Sequence, residues 1–175
     1  MAANEGTGFS GIASPTSTIP HVGVVASISG SRVTCQLGEP DAKNTTPLLI
    51  GSIIKIPTGR SLVFGLVTHL ARPVFDGASG GERHAAAEID LIGEMVQQGI
   101  NYSRFSRGIA FYPQLDHPVQ LASSQDLSAI YSRRDESAAR IGALYQDPSI
   151  TAYIQPEAFL SRHSAIIGTT GTGKS

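Results

Sequence analysis

The stretch Ser61-Leu-Val-Phe-Gly65-Leu-Val-Thr-His-Leu70 reads as a β-strand with a glycine in its middle. It follows a turn, residues 57–60, that contains both a proline and a glycine. A glycine inside a strand marks a bulge or a tight bend, and a sheet needs such bends to close into a barrel. This stretch therefore predicts a strand of a bent sheet.

Similar strands are predicted on both sides of it. Residues 86–96 are ambiguous because Ala, Glu and Met favour a helix, but apolar and acidic residues alternate with period two and Gly93 weakens a helix. We interpret them as a strand. At least six short strands at roughly even spacing are typical of a barrel or a sandwich. The predicted strands are 21–28, 32–37, 48–56, 61–70, 86–96, 108–112 and 118–121.

The composition is that of a β-rich globular protein. Of the 175 residues, 41% are apolar and only 15% are charged, while 19 glycines and 10 prolines supply turns. The net charge of −1 gives no overall attraction to nucleic acid, so any such contact must be local. The single Cys35 excludes an intrachain disulfide, suits a reducing compartment and is expected to be a buried apolar residue. No signal peptide or membrane span is recognisable, so we expect a cytoplasmic protein without a membrane partner.

Four segments are predicted. Residues 1–18 are rich in small polar residues and form a flexible arm, with folding onto a partner as the alternative. Residues 19–122 form the barrel. Residues 123–160 form a connector with short helices at 124–131 and 156–162 and extended segments at 141–145 and 150–154. Residues 161–175 begin a further domain.

That last segment contains a phosphate-binding motif. The sequence Gly168-Thr-Thr-Gly-Thr-Gly-Lys-Ser175 fits the P-loop pattern G-x-x-x-x-G-K-[S/T], and it follows a short apolar strand, Ala165–Ile167. Backbone N–H groups would hold a phosphate, the lysine would reach the β and γ phosphates, and the final serine would bind Mg²⁺. The candidate nucleotide-binding residues are Gly168, Thr169, Thr170, Gly171, Thr172, Gly173, Lys174 and, also for Mg²⁺, Ser175.

Other motifs are weaker. Gly77-Ala-Ser79-Gly-Gly81 matches the nucleophile-elbow pattern but lacks the strand and helix that this pattern needs. The five histidines and the lone cysteine lack metal-ligand spacing. Residues 102–107 interleave aromatic residues with arginine, as nucleic-acid surfaces often do, although a solvated loop is the favoured interpretation.

The barrel pattern, the connector around Ile141–Pro148 and the run Leu160–Ser175 together resemble the front of a bacterial HerA-type ATPase of the HerA/FtsK branch of P-loop motors. The resemblance is most specific over residues 139–175, especially at Arg162, His163 and the P-loop. Over residues 19–122 it rests on strand pattern and order. It implies that the barrel is a HAS barrel, similar to the barrel at the head of ATP-synthase subunits.

The resemblance further implies a homo-hexameric ring that uses ATP and Mg²⁺ to translocate double-stranded DNA through a motor domain. It implies a partner enzyme, either a NurA-type nuclease in DNA-end processing or a sirtuin-like NADase or nuclease of an antiphage defence operon. The barrel would serve ring assembly and partner docking.

The 175 residues contain no recognisable Walker B acid, catalytic glutamate or arginine finger. Because hydrolysis needs more than a phosphate cradle, we expect these residues alone to be catalytically inactive and assign them no catalytic residue. The alternatives are a stand-alone interaction or oligomerisation barrel with a non-functional P-loop-like tail, and a nucleotide-binding domain of another P-loop family.

Overall fold

A computed structural model describes residues 21–38, 48–72, 84–131 and 136–161. The predicted arm, residues 1–18, lies outside this part of the chain. The elements in chain order are β1 (His21–Ser29), β2 (Arg32–Leu37), β3 (Ile53–Pro57), β4 (Ser61–Ala71), β5 (Ala86–Gln98), β6 (Asn101–Tyr102), β7 (Pro118–Leu121), α1 (Ser124–Tyr131), β8 (Ala139–Ala143), β9 (Thr151–Ile154) and α2 (Pro156–Leu160).

Six of these strands close into an antiparallel barrel. Their order around the wall is β2-β1-β7-β3-β4-β5, and the pairing of β2 with β5 joins the two ends of the sheet. The short β6 extends the sheet beside the end of β5, and β8 pairs with β9 in a separate hairpin. The mainly β fold with a small antiparallel barrel is therefore confirmed.

Gly65 marks a bend, as its position inside a strand predicts. The register between β4 and β5 shifts between Phe64 and Gly65, which is the irregularity of a β-bulge. A Cβ on Gly65 would overlap the side chain of Ile89 on β5. Glycine at this position lets the two longest strands approach closely while the wall curves.

The barrel encloses its own apolar core. Residues that alternate along the strands point inward, as they do for Ile54 and Ile56 of β3. The buried members of this core are Val25, Val33, Cys35, Ile54, Ile56, Val63, Val67, Ala87, Ile89, Leu91 and Val119. The expected burial of Cys35 is confirmed, and burial raises the pKa of its thiol to about 12.

A second apolar cluster lies apart from that core. It joins Ile53, Phe64 and Met95 of the barrel strands to Leu127 of α1, and Leu144 and Ile150 of the connector pack against it. Because Ile53 alternates with the inward residues of β3, this cluster lies on the outer wall of the barrel. The strand β3 is therefore buried on both faces, and the connector packs against the barrel along the chain's path to residue 161.

Most predicted elements are confirmed and two are corrected. The predicted strand 48–56 begins only at Ile53, because Gly51 has φ +91° and Leu49 and Ser52 close a turn through hydrogen bonds. The predicted strand 108–112 is wrong, because Gly108 has φ +93° and the N–H groups that follow bind a side chain instead of a neighbouring strand. The short β6 was not predicted.

Candidate functional site

The predicted phosphate loop, Gly168–Ser175, and the strand Ala165–Ile167 before it lie outside the described residues. The structure describes the chain that leads to them, through α1, the β8–β9 hairpin and α2. The described part of the candidate site is the junction where this connector meets the barrel.

The connector begins with a capped helix. The Ser123 hydroxyl accepts a hydrogen bond from the Asp126 backbone N–H at 3.2 Å, while the Asp126 carboxylate accepts one from the Ser123 backbone N–H at 2.9 Å. This reciprocal pair is a capping box, in which two helix-terminal donors find acceptors. The sequence Ser124-Gln-Asp126, a serine start with an early acid, predicts this helix, and α1 confirms it with Ser123 as the capping residue.

The same carboxylate forms a buried ion pair with the barrel. The Lys55 ammonium of β3 lies 2.6 Å from Asp126 Oδ2, and the two side chains are 9% and 12% exposed. Burial by itself would raise the pKa of Asp126, but hydrogen bonds from Lys55 and Ser123 outweigh it and lower that pKa below the ordinary value. Lys55 lies between Ile54 and Ile56, whose side chains point into the barrel. Its own side chain therefore points outward from the wall, where α1 covers it.

Gln146 makes a second attachment between connector and barrel. Its side-chain oxygen accepts a hydrogen bond from Ile53 N–H at 2.7 Å, and its amide nitrogen donates to the Ile53 carbonyl oxygen at 3.2 Å. The side chain thereby supplies the acceptor for the Ile53 N–H and a second donor to the Ile53 carbonyl oxygen, which also accepts a hydrogen bond from Ala122 N–H at 3.1 Å. This fixes the turn between β8 and β9 against the barrel wall.

The far side of the connector exposes apolar side chains. Ile141, Tyr145 and Leu160 are 62%, 90% and 78% exposed, and Phe159 is 48% exposed. The predicted extended segments and the helix with proline at its start are confirmed as β8, β9 and α2. The connector is thus held to the barrel on one side and presents apolar side chains on the other.

A cavity of about 680 Å³ lies between the barrel and the connector. Phe105, which lines it, packs edge-on against Phe64 at a centroid distance of 6.0 Å. The lining residues are Ile92, Phe105, Arg107, Ile130, Tyr131, Ala138, Tyr153, Ile154 and Gln155. Its size falls within the range of small-molecule sites.

A buried carboxylate fixes the loop beside this cavity. Glu94 of β5 is 3% exposed, and it accepts hydrogen bonds from the backbone N–H groups of Ala110 at 2.8 Å and Phe111 at 3.3 Å. Its backbone also exchanges two 3.0 Å hydrogen bonds with Ser106. The loop over residues 103–111 is therefore tied to the barrel wall at several points.

Most of these anchoring residues were not predicted from the sequence. Lys55 stands alone in the apolar run Ile53-Ile54-Lys55-Ile56, and a lone lysine in a buried strand is a signal that a carboxylate must lie nearby. Nothing in the sequence distinguishes Gln146 or Glu94 from an ordinary surface residue, because their partners are backbone groups far along the chain.

In the part of the chain that the structure describes, no group of three or more histidine, cysteine, aspartate or glutamate residues is placed to hold a metal ion. No helix in the described ranges is long and apolar enough to cross a membrane.

Comparison with known proteins relates the end of the chain to one family. Residues 139–175 match the family described as the central domain of the helicase HerA. This match begins at the first residue of β8 and runs through the predicted phosphate loop. No curated protein sequence matches the chain. Residues 139–175 are thus similar to part of a HerA central domain, and this similarity suggests a relationship to the HerA/FtsK-like ATPase motors.

Proposed function

We propose that this chain is the N-terminal part of a HerA-type ATP-dependent DNA translocase. In this proposal the barrel is followed by a motor domain, whose family match begins at Ala139 and includes the β8–β9 hairpin and α2 of the connector. The observation that carries the proposal is the match of residues 139–175 to the HerA central domain, which includes the complete P-loop pattern. A closed barrel precedes the matched residues in the chain.

The donor groups of the P-loop suit a nucleoside triphosphate with Mg²⁺. Glycines at 168, 171 and 173 would leave the backbone N–H groups accessible to phosphate oxygens. Lys174 would neutralise charge on the β and γ phosphates, and the Ser175 hydroxyl would be a ligand of the metal. Bound Mg²⁺ would neutralise part of the phosphate charge.

The barrel's proposed roles are ring assembly and partner docking. Its connection to the motor would be stiff, because the Lys55–Asp126 pair, the Gln146 hydrogen bonds and the outer apolar cluster fix the connector to the wall. The exposed apolar side chains of the connector suit burial against the motor or a neighbouring subunit. The proposed assembly is a homo-hexamer on double-stranded DNA. Its partner would be a NurA-type nuclease, or a sirtuin-like NADase or nuclease in antiphage defence.

Nucleotide binding tests the proposed site. The measurement is titration of a fluorescent ATP analogue, with and without Mg²⁺, into the protein extended through the proposed motor domain. Lys174→Ala should abolish binding, because it removes the cation that faces the phosphates. Lys43→Ala, the same charge change in the predicted loop after β2, should leave binding unchanged. Equal binding by the wild type and Lys174→Ala would refute the site.

The mass of the extended protein in solution tests the ring. We expect six copies by light scattering, and a strictly monomeric protein would contradict the hexamer.

A stand-alone interaction module is the second candidate. It is favoured by the closed barrel with its own core, which needs no motor domain to bury its apolar residues. The coding sequence after Ser175 separates the two candidates. A downstream Walker B strand supports the motor, a stop codon supports the module, and a different order of motifs indicates another P-loop family.

A further inference from the structure

The turn before β4, the strand β6 and the loop that follows it carry exposed arginine and tyrosine side chains. Arg60 lies in the turn before β4, and its carbonyl oxygen accepts a hydrogen bond from Gln97 N–H at 2.8 Å. Gln97 is paired in turn with Tyr102 of β6. The Arg60 guanidinium lies 5.6 Å from the ring centroid of Phe111, next to Tyr112. We call this the arginine surface and define it as Arg60, Tyr102, Arg104, Arg107 and Tyr112.

The arginine surface is cationic without local compensation. All three arginines are exposed, and none forms a salt bridge with any residue of the described ranges. Arg32, by contrast, pairs with Glu88 and Asp90. The one carboxylate that holds this loop, Glu94, is buried and occupied by backbone N–H groups. A chain with a net charge of −1 therefore presents a local concentration of positive charge.

The loop that carries two of these arginines is rigidly placed. Besides the Glu94 hydrogen bonds, two hydrogen bonds link Ser103 to Val96. The Ser103 N–H donates to the Val96 carbonyl oxygen at 2.8 Å, and the Val96 N–H donates to the Ser103 hydroxyl oxygen at 2.9 Å. A Cβ on Gly93 would overlap the Ser106 carbonyl oxygen, so the loop lies directly on β5. A fixed loop loses little conformational entropy when a ligand binds.

Exposed aromatic rings stand among the arginines. Tyr102 and Tyr112 are 46% and 50% exposed. Arg107 also lines the 680 Å³ cavity, whose wall contains Phe105, Tyr131 and Tyr153. Arginines that contact phosphates, combined with aromatic rings on which bases stack, are the usual means of binding single-stranded nucleic acid.

We propose that the arginine surface binds single-stranded nucleic acid. Arg60, Arg104 and Arg107 contact the phosphates, Tyr102 and Tyr112 stack on unpaired bases, and the cavity beside Arg107 has room for a further base. The exposed rings favour this ligand over an acidic protein segment, which has no bases to stack. The proposal goes beyond the proposed motor function, which places double-stranded DNA in the motor domain and assigns no nucleic-acid contact to the barrel.

The test is fluorescence anisotropy of a labelled oligothymidylate with the 175-residue chain, so that its outcome is independent of the motor domain. Affinity should fall with salt, and the double variant Arg104→Gln/Arg107→Gln should reduce the logarithmic salt slope by roughly 0.7 for each arginine. Tyr102→Ala should weaken binding about fivefold or more. Arg72→Gln is the matched control, because this arginine follows the opposite end of β4, and it should change nothing.

Three results would overturn the proposal. The first is absence of binding, or equal binding by the wild type and the arginine double variant. The second is binding of a duplex as tightly as the single strand, since a duplex offers no unpaired bases. The third is competition by polyglutamate as effective as competition by unlabelled oligothymidylate, which would assign the surface to an acidic protein partner. The melting temperature of each variant should match that of the wild type, because the changed side chains are exposed.

Discussion

Replacing Asp126 with alanine leaves the Lys55 ammonium buried without its counterion. The Lys55 side chain is only 9% exposed, so water cannot replace the lost carboxylate. Removing one partner of a buried ion pair costs about 3–5 kcal/mol. At about 2–4 °C per kcal/mol for a chain of this size, the melting temperature should fall by roughly 6–20 °C.

Thermal unfolding followed by circular dichroism measures this loss, and an exposed ion pair supplies the control. Asp90→Ala removes one of the two partners of Arg32, whose side chain is 57% exposed, and should cost at most about 1 kcal/mol. Adding Lys55→Met to Asp126→Ala removes the stranded charge and should recover most of the loss. If Asp126→Ala costs no more than Asp90→Ala, or if Lys55→Met recovers nothing, the pair does not hold α1 to the barrel.

The pH dependence of this pair has a defined sign. The folded protein holds the pKa of Asp126 below its ordinary value, so the unfolded chain binds the proton more readily. The stabilisation is complete above the ordinary carboxyl pKa of about 3.9 and is lost as pH falls through the lower folded pKa. The melting-temperature gap between the wild type and Asp126→Asn, which keeps a capping oxygen, should be constant near neutrality and narrow below about pH 4. A gap that widens in acid would contradict the assignment.

Three further changes test the fold and its junction. Gln146→Ala leaves the Ile53 N–H without its hydrogen bond, while the Ile53 carbonyl oxygen keeps the one from Ala122 N–H, so stability should fall by about 1–3 kcal/mol and amide exchange at Ile53 should accelerate. Unchanged exchange would contradict this role. Gly93→Ala forces a methyl group against Ser106 and Phe105 and should lower the free energy of unfolding by about 1–3 kcal/mol. Gly142→Ala, with open space around it, should leave the free energy of unfolding unchanged. Cys35 is buried, and its thiol pKa is raised to about 12. A thiol reagent at pH 8 should therefore label it only after denaturation. Rapid labelling of the native chain would contradict its place in the core.

The barrel was predictable because its signals are local. The alternation of apolar residues predicted β1, β2, β4 and β5, and Gly65 predicted the bulge. The prediction of a strand at 108–112 was wrong because the acceptor for the N–H groups of this segment is the Glu94 carboxylate. A side chain that replaces a neighbouring strand as the acceptor leaves no periodic pattern in the sequence. The late start of β3 reflects a turn that depends on the positive φ of Gly51.

The junction was less predictable than the barrel. Asp126 was recognised as an early acid of a helix, but its pairing with Lys55 joins residues on different elements that only the fold brings together. Gln146 lies between two extended segments, and its side chain hydrogen-bonds to the backbone groups of Ile53, which leave no signal in the sequence. The phosphate-binding motif was recognisable from spacing because its ligands are consecutive in the chain, and its geometry stays a prediction.

The rate of ATP hydrolysis tests the proposed motor function most directly. With the protein extended through the motor domain, we predict turnover that double-stranded DNA stimulates and that Lys174→Ala abolishes without breaking up the oligomer. We predict no turnover by the 175-residue chain alone. Hydrolysis by that chain, or undiminished hydrolysis by Lys174→Ala, would contradict the account.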